Sequence, residues 1–253
     1  MAINSPTSTS IQYQCLKCKD LGGKMSSDEY DCKGKKIKYE IWKECECREL
    51  KRIERMFQSS HITEGFRKMG FKSFICDNRP PVIQQAFDIA AAYFKNFEQI
   101  RKEERNSIAL LGRPGSGKTH LLMAISNNLI KRGVPVFYFP WVEGLNELKD
   151  DFDQLNAKVR RLQTVEVLFL DDLFKARANP TDFQLEQLFA IVNYRYLNNL
   201  PILVSSERTF EDMCIIDEGT GSRLYKMTKD YRVTFEGEGL NYRLKDVEGY
   251  THV

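Results

Sequence analysis

The 253-residue sequence has no long apolar run. Its apolar stretches, such as Ile108–Leu111 and Val167–Leu170, are strand-sized. A membrane helix needs roughly 20 apolar residues, so no helical span is expected. Residues 1–10 are polar and lack the apolar core of a signal peptide, which argues against secretion and for a cytoplasmic setting. The chain also lacks a dominant charge sign: 38 Lys and Arg stand against 35 Asp and Glu, a net +3. With 42% hydrophobic and 29% charged residues, it reads as a globular protein and not a largely disordered one. No internal repeat is visible, so a solenoid is set aside.

What is present is unevenly placed. Residues 1–60 hold 12 basic and 9 acidic side chains, while residues 61–253 hold 26 of each. Five of the seven cysteines, Cys15, Cys18, Cys32, Cys45 and Cys47, lie in the same first quarter. A basic, cysteine-rich head on a neutral body suggests two modules. Residues 1–11 read as a disordered tail, 12–57 as a small metal-binding domain, 58–82 as a linker ending in Asn78-Arg79-Pro80-Pro81, and 83–253 as the main domain. Leu50, Ile53 and Phe57 mark one stripe of a short helix over Arg48–Met56.

Past the linker, helices alternate with short apolar runs. Residues 83–100 read as a helix. Strands are expected at Ser107–Leu111, Val134–Phe139, Val165–Leu170, Ile202–Ser205 and Arg232–Phe235. A helix stops near Gly133, and another runs over 181–198 behind a Thr181/Gln184 capping box. That alternation predicts an α/β fold with a parallel sheet between helical layers.

Gly112-Arg113-Pro114-Gly115-Ser116-Gly117-Lys118-Thr119 fits G-x-x-x-x-G-K-[ST] in full, between a predicted strand and helix. Its backbone N–H groups would curl around ATP phosphates at a helix N-terminus. Lys118 would reach the β- and γ-phosphates, and the Thr119 hydroxyl would bind Mg²⁺. His120 completes the ATP-binding run. The third strand ends in Asp171-Asp172, the pattern of a Walker B strand. Asp171 would hold Mg²⁺ and Asp172 would polarise the attacking water. Many such ATPases carry Glu at that second position; the shorter Asp suggests slow hydrolysis.

Cys15-x-x-Cys18 and Cys45-x-Cys47 are two pairs separated by 26 residues. Four thiolates suit tetrahedral Zn²⁺, and a module this small needs a staple. Cys32 has no close partner and reads as a free thiol or packing residue. Tyr13, Tyr30, Tyr39 and Trp42 are expected to fill the small core; base stacking is the alternative. Four thiolates plus Zn²⁺ would bring the head's net charge down to about +1, which weakens the case for the head as a DNA binder.

Together these motifs resemble bacterial and phage replicative helicase loaders of the DnaC/DnaI type, within the AAA+ additional-strand ATPases. The resemblance lies in Cys15–Asp20, Glu44–Arg48, Phe71–Phe74, Asn78–Pro81, Asn106–His120, Leu170–Lys175, Asn193–Asn198, Val204–Glu207 and Gly221–Arg223. It implies an ATPase that binds a hexameric DnaB-family helicase through its head and places it on single-stranded DNA, self-associating through the ATPase domain. It implies a γ-phosphate sensor at Ser206, with Ser205 beside it, and an arginine finger at Arg223. The segment from Pro140 to Leu155 falls where loaders insert an extra helix. It is acidic here, so Arg160 and Arg161 are the better candidates for DNA phosphates, with a solvated helix face as the alternative. Only 30 residues follow Arg223, too few for a helical lid, so the pocket is expected to be open on one side. The alternatives are a transposition helper ATPase of the IstB type, an adaptor that binds ATP without using its hydrolysis, and a nucleic-acid-binding zinc ribbon.

Overall fold

The computed structural model describes residues 13–33, 35–150, 152–175 and 180–244; the tail expected at 1–11 lies outside the described residues. The chain divides into two compact units, with the boundary between Arg55 and Met56.

The first unit is built around a ribbon of two antiparallel strands, β1 (Gly23–Cys32) and β2 (Lys35–Glu44). They pair without interruption from Gly23 opposite Glu44 to Cys32 opposite Lys35. The ribbon was not legible as strands because neither face is buried, so no alternating pattern marks it. Tyr30, Ile37, Tyr39 and Ile41 share one face by register, and all are exposed. Tyr30, Tyr39 and Trp42 therefore do not fill a core as expected. A bare two-stranded hairpin is marginal in water, so this unit needs another source of stability. Helix α1 (Cys47–Ser59) follows the ribbon.

The second unit carries the expected α/β fold. After the single turn α2 (Glu64–Arg67) comes α3 (Pro81–Ile100), which opens on a proline whose missing N–H costs nothing there. The strands are β3 (Ile108–Gly112), β4 (Val136–Pro140), β5 (Val167–Leu173), β6 (Ile202–Ser206) and β7 (Arg232–Phe235). All pair in parallel, in the order β4-β5-β6-β3-β7. Ile108–Leu111 and Val167–Leu170 are buried along their length, as strands covered on both faces must be. The helices between them are α4 (Lys118–Lys131), α5 (Trp141–Asp150), α6 (Leu155–Thr164), α7 (Asp182–Leu197), α8 (Phe210–Ile216) and α9 (Glu218–Met227). The Thr181/Gln184 capping box at α7 forms in both directions.

The 58–82 linker is not a free tether. Ser60 accepts the Tyr138 N–H at 2.8 Å, and the Asn127 amide donates to the carbonyls of Phe66 and Met69 at 2.8 Å each. These bonds fasten it along β4 and α4. Phe57 is buried beneath the Arg67 guanidinium, whereas Leu50 of the same helical stripe is exposed. Arg195 on α7 is fully buried and donates to five carbonyls, those of Leu162, Gln163, Val165, Glu166 and Pro201. One guanidinium thus ties the end of α6 to the starts of β5 and β6.

Candidate functional site: a phosphate loop and a cysteine cluster

Strand β3 delivers Gly112 with φ 101°, a left-handed turn that starts the phosphate loop. A Cβ there would lie 2.4 Å from the Phe235 carbonyl oxygen on β7, so glycine is required twice over. Gly115 has φ 71°, and a Cβ on it would strike the Asn241 side chain at 1.9 Å. Lys118 opens α4 and is almost wholly buried. Its Nζ donates to the carbonyls of Gly112 and Arg113 at 2.7 and 2.8 Å. Burial pushes its ammonium down to about 8. Phosphate oxygens in the loop would restore its charge.

Asp171, at the end of β5, is buried among hydroxyls. Thr119 Oγ1 donates to its Oδ1 at 2.9 Å, Ser205 Oγ to the same oxygen at 2.5 Å, and Tyr138 OH to Oδ2 at 3.0 Å. Burial raises the carboxyl above its usual range, against the pull of these donors. Thr119 and Asp171 present adjacent hard oxygens, a donor set that fits Mg²⁺. Asp172 is the next residue, in a left-handed conformation with φ 54°. A register shift between Leu170 and Leu173 in the β5–β6 pairing lets both acids leave the ladder.

Ser205, not Ser206, reaches the acids. Its Oγ also accepts the Asp172 N–H at 2.8 Å. Ser206 Oγ instead donates to the Leu173 carbonyl at 2.6 Å and accepts the Arg208 N–H. Successive strand residues face opposite ways, so one step along β6 decides which serine can respond to the site. Strand β6 does lie between the phosphate-loop strand and the acid-bearing strand. Tyr138 escaped sequence reading because a tyrosine inside an apolar strand looks like core.

A cavity of about 950 Å³ joins these groups, bounded by the phosphate loop, both acids and Glu207. Phe74 and Arg79 of the linker segment also line it, as do Tyr242 and Arg243. These residues therefore border the cavity, which remains partly open. Tyr242 N–H donates to the Gly115 carbonyl at 3.0 Å, and Arg79 bridges the carbonyls of Ser116 and Leu240 at 2.9 and 3.1 Å.

Arg223 is not among the residues lining this cavity. It lies on α9, where Nε donates to Asn193 Oδ1 at 3.0 Å and Nη1 to the Gly219 carbonyl at 2.7 Å. Its guanidinium lies over Phe189 and Tyr196. Arg161 is also engaged, through the Ser59 carbonyl and the Phe137 ring. Arg160 is exposed.

In the first unit, the sulfurs of Cys15, Cys18, Cys45 and Cys47 lie within 4.8 Å of one another. Cys15 faces Cys45 at 3.8 Å and Cys18 faces Cys47 at 3.4 Å. A tetrahedral Zn²⁺ with bonds of about 2.3 Å spaces its sulfurs about 3.8 Å apart, so the cluster fits that ion. The Cys18 N–H pulls the Cys15 thiol down to about 7. Cys47, hydrogen-bonded to Cys18, is pushed up to about 12. Four thiols so close ionise together only around a cation. Asp20 braces the loop, accepting the N–H groups of Gln14 and Cys15 and the Lys51 ammonium. Cys32 is exposed on the ribbon and is not among the four clustered sulfurs.

The family model of IstB-like ATP binding proteins matches residues 89–218. The phage-like element PBSX protein XkdC of Bacillus subtilis (strain 168) is 45% identical over 246 residues, covering 95% of this chain and 90% of that protein. A crystal structure of the DnaC helicase loader superposes with a TM-score of 0.57 at 20% identity, covering 69% of this chain and 100% of that one. AMPPCP-bound DnaA from Aquifex aeolicus gives a TM-score of 0.57 at 22% identity over 70% of this chain. The present chain spans about half the length of that DnaA, 51%.

Proposed function

The chain belongs to the IstB-like ATP-binding family, as a P-loop ATPase of AAA+ fold, and on that premise we infer that it loads a hexameric replicative helicase of the DnaB family onto single-stranded DNA. One observation carries this reading: a four-cysteine cluster and an ATPase site occur in one chain whose ATPase unit has the fold of a helicase loader. The likeness to a phage-element protein over nearly the whole length supports a setting inside a bacterial cell.

In this reading the head is a zinc-stapled docking module that binds the helicase. The second unit binds ATP with Gly112 to His120. Lys118 would move from the loop carbonyls to the β- and γ-phosphates, and Thr119 and Asp171 would hold Mg²⁺, which would supply neutralisation of the phosphate charge. Asp172 accepts the proton of the attacking water. Ser205 links Asp171 to the Asp172 backbone and carries the sensing role first given to Ser206. Arg223, which lies outside its own cavity, would act on a neighbouring subunit's nucleotide.

The test is co-purification with the host's replicative helicase, followed by loading on circular single-stranded DNA. The intact chain is expected to bind and load. Lys118→Ala should bind the helicase but not load it, and Cys45→Ser should not bind. Absence of any complex with the intact, zinc-loaded chain would refute the loader reading. The family match, confined to 89–218, favours a second reading as a transposition helper. In that case Cys45→Ser should leave the partner contact intact.

A further inference from the structure

Beyond the two acids, the turn after β5 places a cation that the proposed mechanism does not use. Lys175 Nζ donates to Asp172 Oδ2 at 2.7 Å and lies 3.4 Å from Glu207 Oε1. All three side chains line the nucleotide cavity. The turn that brings the lysine there is costly. Asp172 and Phe174 both have left-handed backbones, with φ of 54° and 62°. Aspartate tolerates that region, but a phenylalanine there is a true outlier, and such strain persists only where packing fixes it. The packing is present: Leu173 and Phe174 are buried, with the Phe174 ring edge-on to Trp141 at 5.3 Å. The Lys175 N–H closes the turn on the Asp172 carbonyl at 3.0 Å. Ser205 Oγ holds the Asp172 N–H from the other side.

We propose that Lys175 is a positioning residue for ATP hydrolysis, its ammonium fixing the Asp172 carboxylate so that the free oxygen faces the attacking water. This rests on the reading of Asp172 as the base. Water gives its proton to Asp172 as its oxygen attacks the γ-phosphorus. The bond from that phosphorus to the bridging oxygen breaks, and ADP leaves with the electron pair. Lys175 itself exchanges no proton. Its ammonium also offsets negative charge on Asp172 and Glu207, two of the acids lining the cavity that would receive the nucleotide's anionic phosphates. Without it, the Asp172 side chain is free to turn toward the other cations of the site. Aim is what a general base most depends on.

The experiment measures ATP hydrolysis, together with ATP and ADP binding, on the full chain and on Lys175→Met, Lys175→Arg, Asp172→Asn and the Lys175→Met/Asp172→Asn double variant. Lys175→Met is expected to lower kcat at least tenfold, with KM and both affinities within threefold. Lys175→Arg should restore kcat to within threefold. The double variant should be no slower than Asp172→Asn alone, because two residues acting as one unit are not additive. Lys175→Gln guards against misfolding of the Met variant and should show the same kcat loss. If Asp172→Asn is inactive while Lys175→Met keeps its full kcat, the positioning role is overturned and the base stands. If Lys175→Met weakens ATP tenfold but not ADP, the lysine is a γ-phosphate ligand and the proposal is likewise overturned. If Asp172→Asn hydrolyses ATP normally, the base itself was misassigned and the positioning role falls with it.

Discussion

The ribbon of the first unit and the sheet of the second are both β-structure, yet they are held by different physics. Along β1 and β2 nearly every residue is exposed; Gly23 is the one buried position in their described residues. Ribbon ion pairs such as Lys38–Glu29 and Lys43–Asp28, at 3.4 and 3.5 Å, are exposed and contribute little. What remains is the four-sulfur cluster at the foot of the ribbon. In the second unit the strands are sealed between helical layers, and the hydrophobic core continues from Leu111 and Phe137 through Leu168 to Leu224 and Met227. The comparison teaches that one unit has almost no buried face and carries a four-cysteine cluster that fits a metal ion, while the other is held by apolar burial.

The largest expected effect falls on the second unit alone. Replacing Arg195 with leucine would orphan five buried carbonyls. Breaking a buried charged network costs about 3–5 kcal/mol. Urea titration should show that loss while zinc content and ribbon structure stay as in the parent. An equal loss of zinc would break the comparison.

A smaller effect concerns pH and the phosphate loop. Lys118 stands at about 8 without nucleotide, below the lysine value of 10.5, because burial disfavours its charge. Phosphates need the charged form, so ATP binding takes up a proton once the pH exceeds about 8. Calorimetry should find ATP affinity falling about tenfold between pH 7 and pH 9. The nucleotide-free unit moves the other way: the unfolded chain holds this proton more tightly, so folding gains stability as pH rises from about 8 toward 10.5. Flat ATP affinity across that range would contradict the assignment of Lys118.

The same contrast explains what could be read in advance. Buried parallel strands announce themselves as apolar runs, so β3 to β6 were legible, and the edge strand Arg232–Phe235, with Thr234 exposed, was also expected, to the residue. The phosphate loop and the Asp171-Asp172 pair were legible because their chemistry is local in sequence. The ribbon was not, since strands buried on neither face leave no period. Helices α8 and α9 were also passed over, although Thr209 and Asp212 form a capping box that marks the start of α8. Contacts between distant segments were out of reach. Tyr138 on Asp171, Arg79 bridging Ser116 and Leu240, and Tyr242 on Gly115 each join residues that only the fold brings together. Lys175 was visible three residues past Asp172, but two left-handed residues were needed to turn it back onto the carboxylate.

Hydrogen exchange on the zinc-loaded chain, before and after chelation, tests the central claim most directly. The account predicts that removing zinc abolishes amide protection across Gly23–Cys32 and Lys35–Glu44, while the amides of β3 to β7 keep theirs and ATP binding is unchanged. Ribbon protection that survives chelation, or a sheet that loosens together with the ribbon, would contradict it.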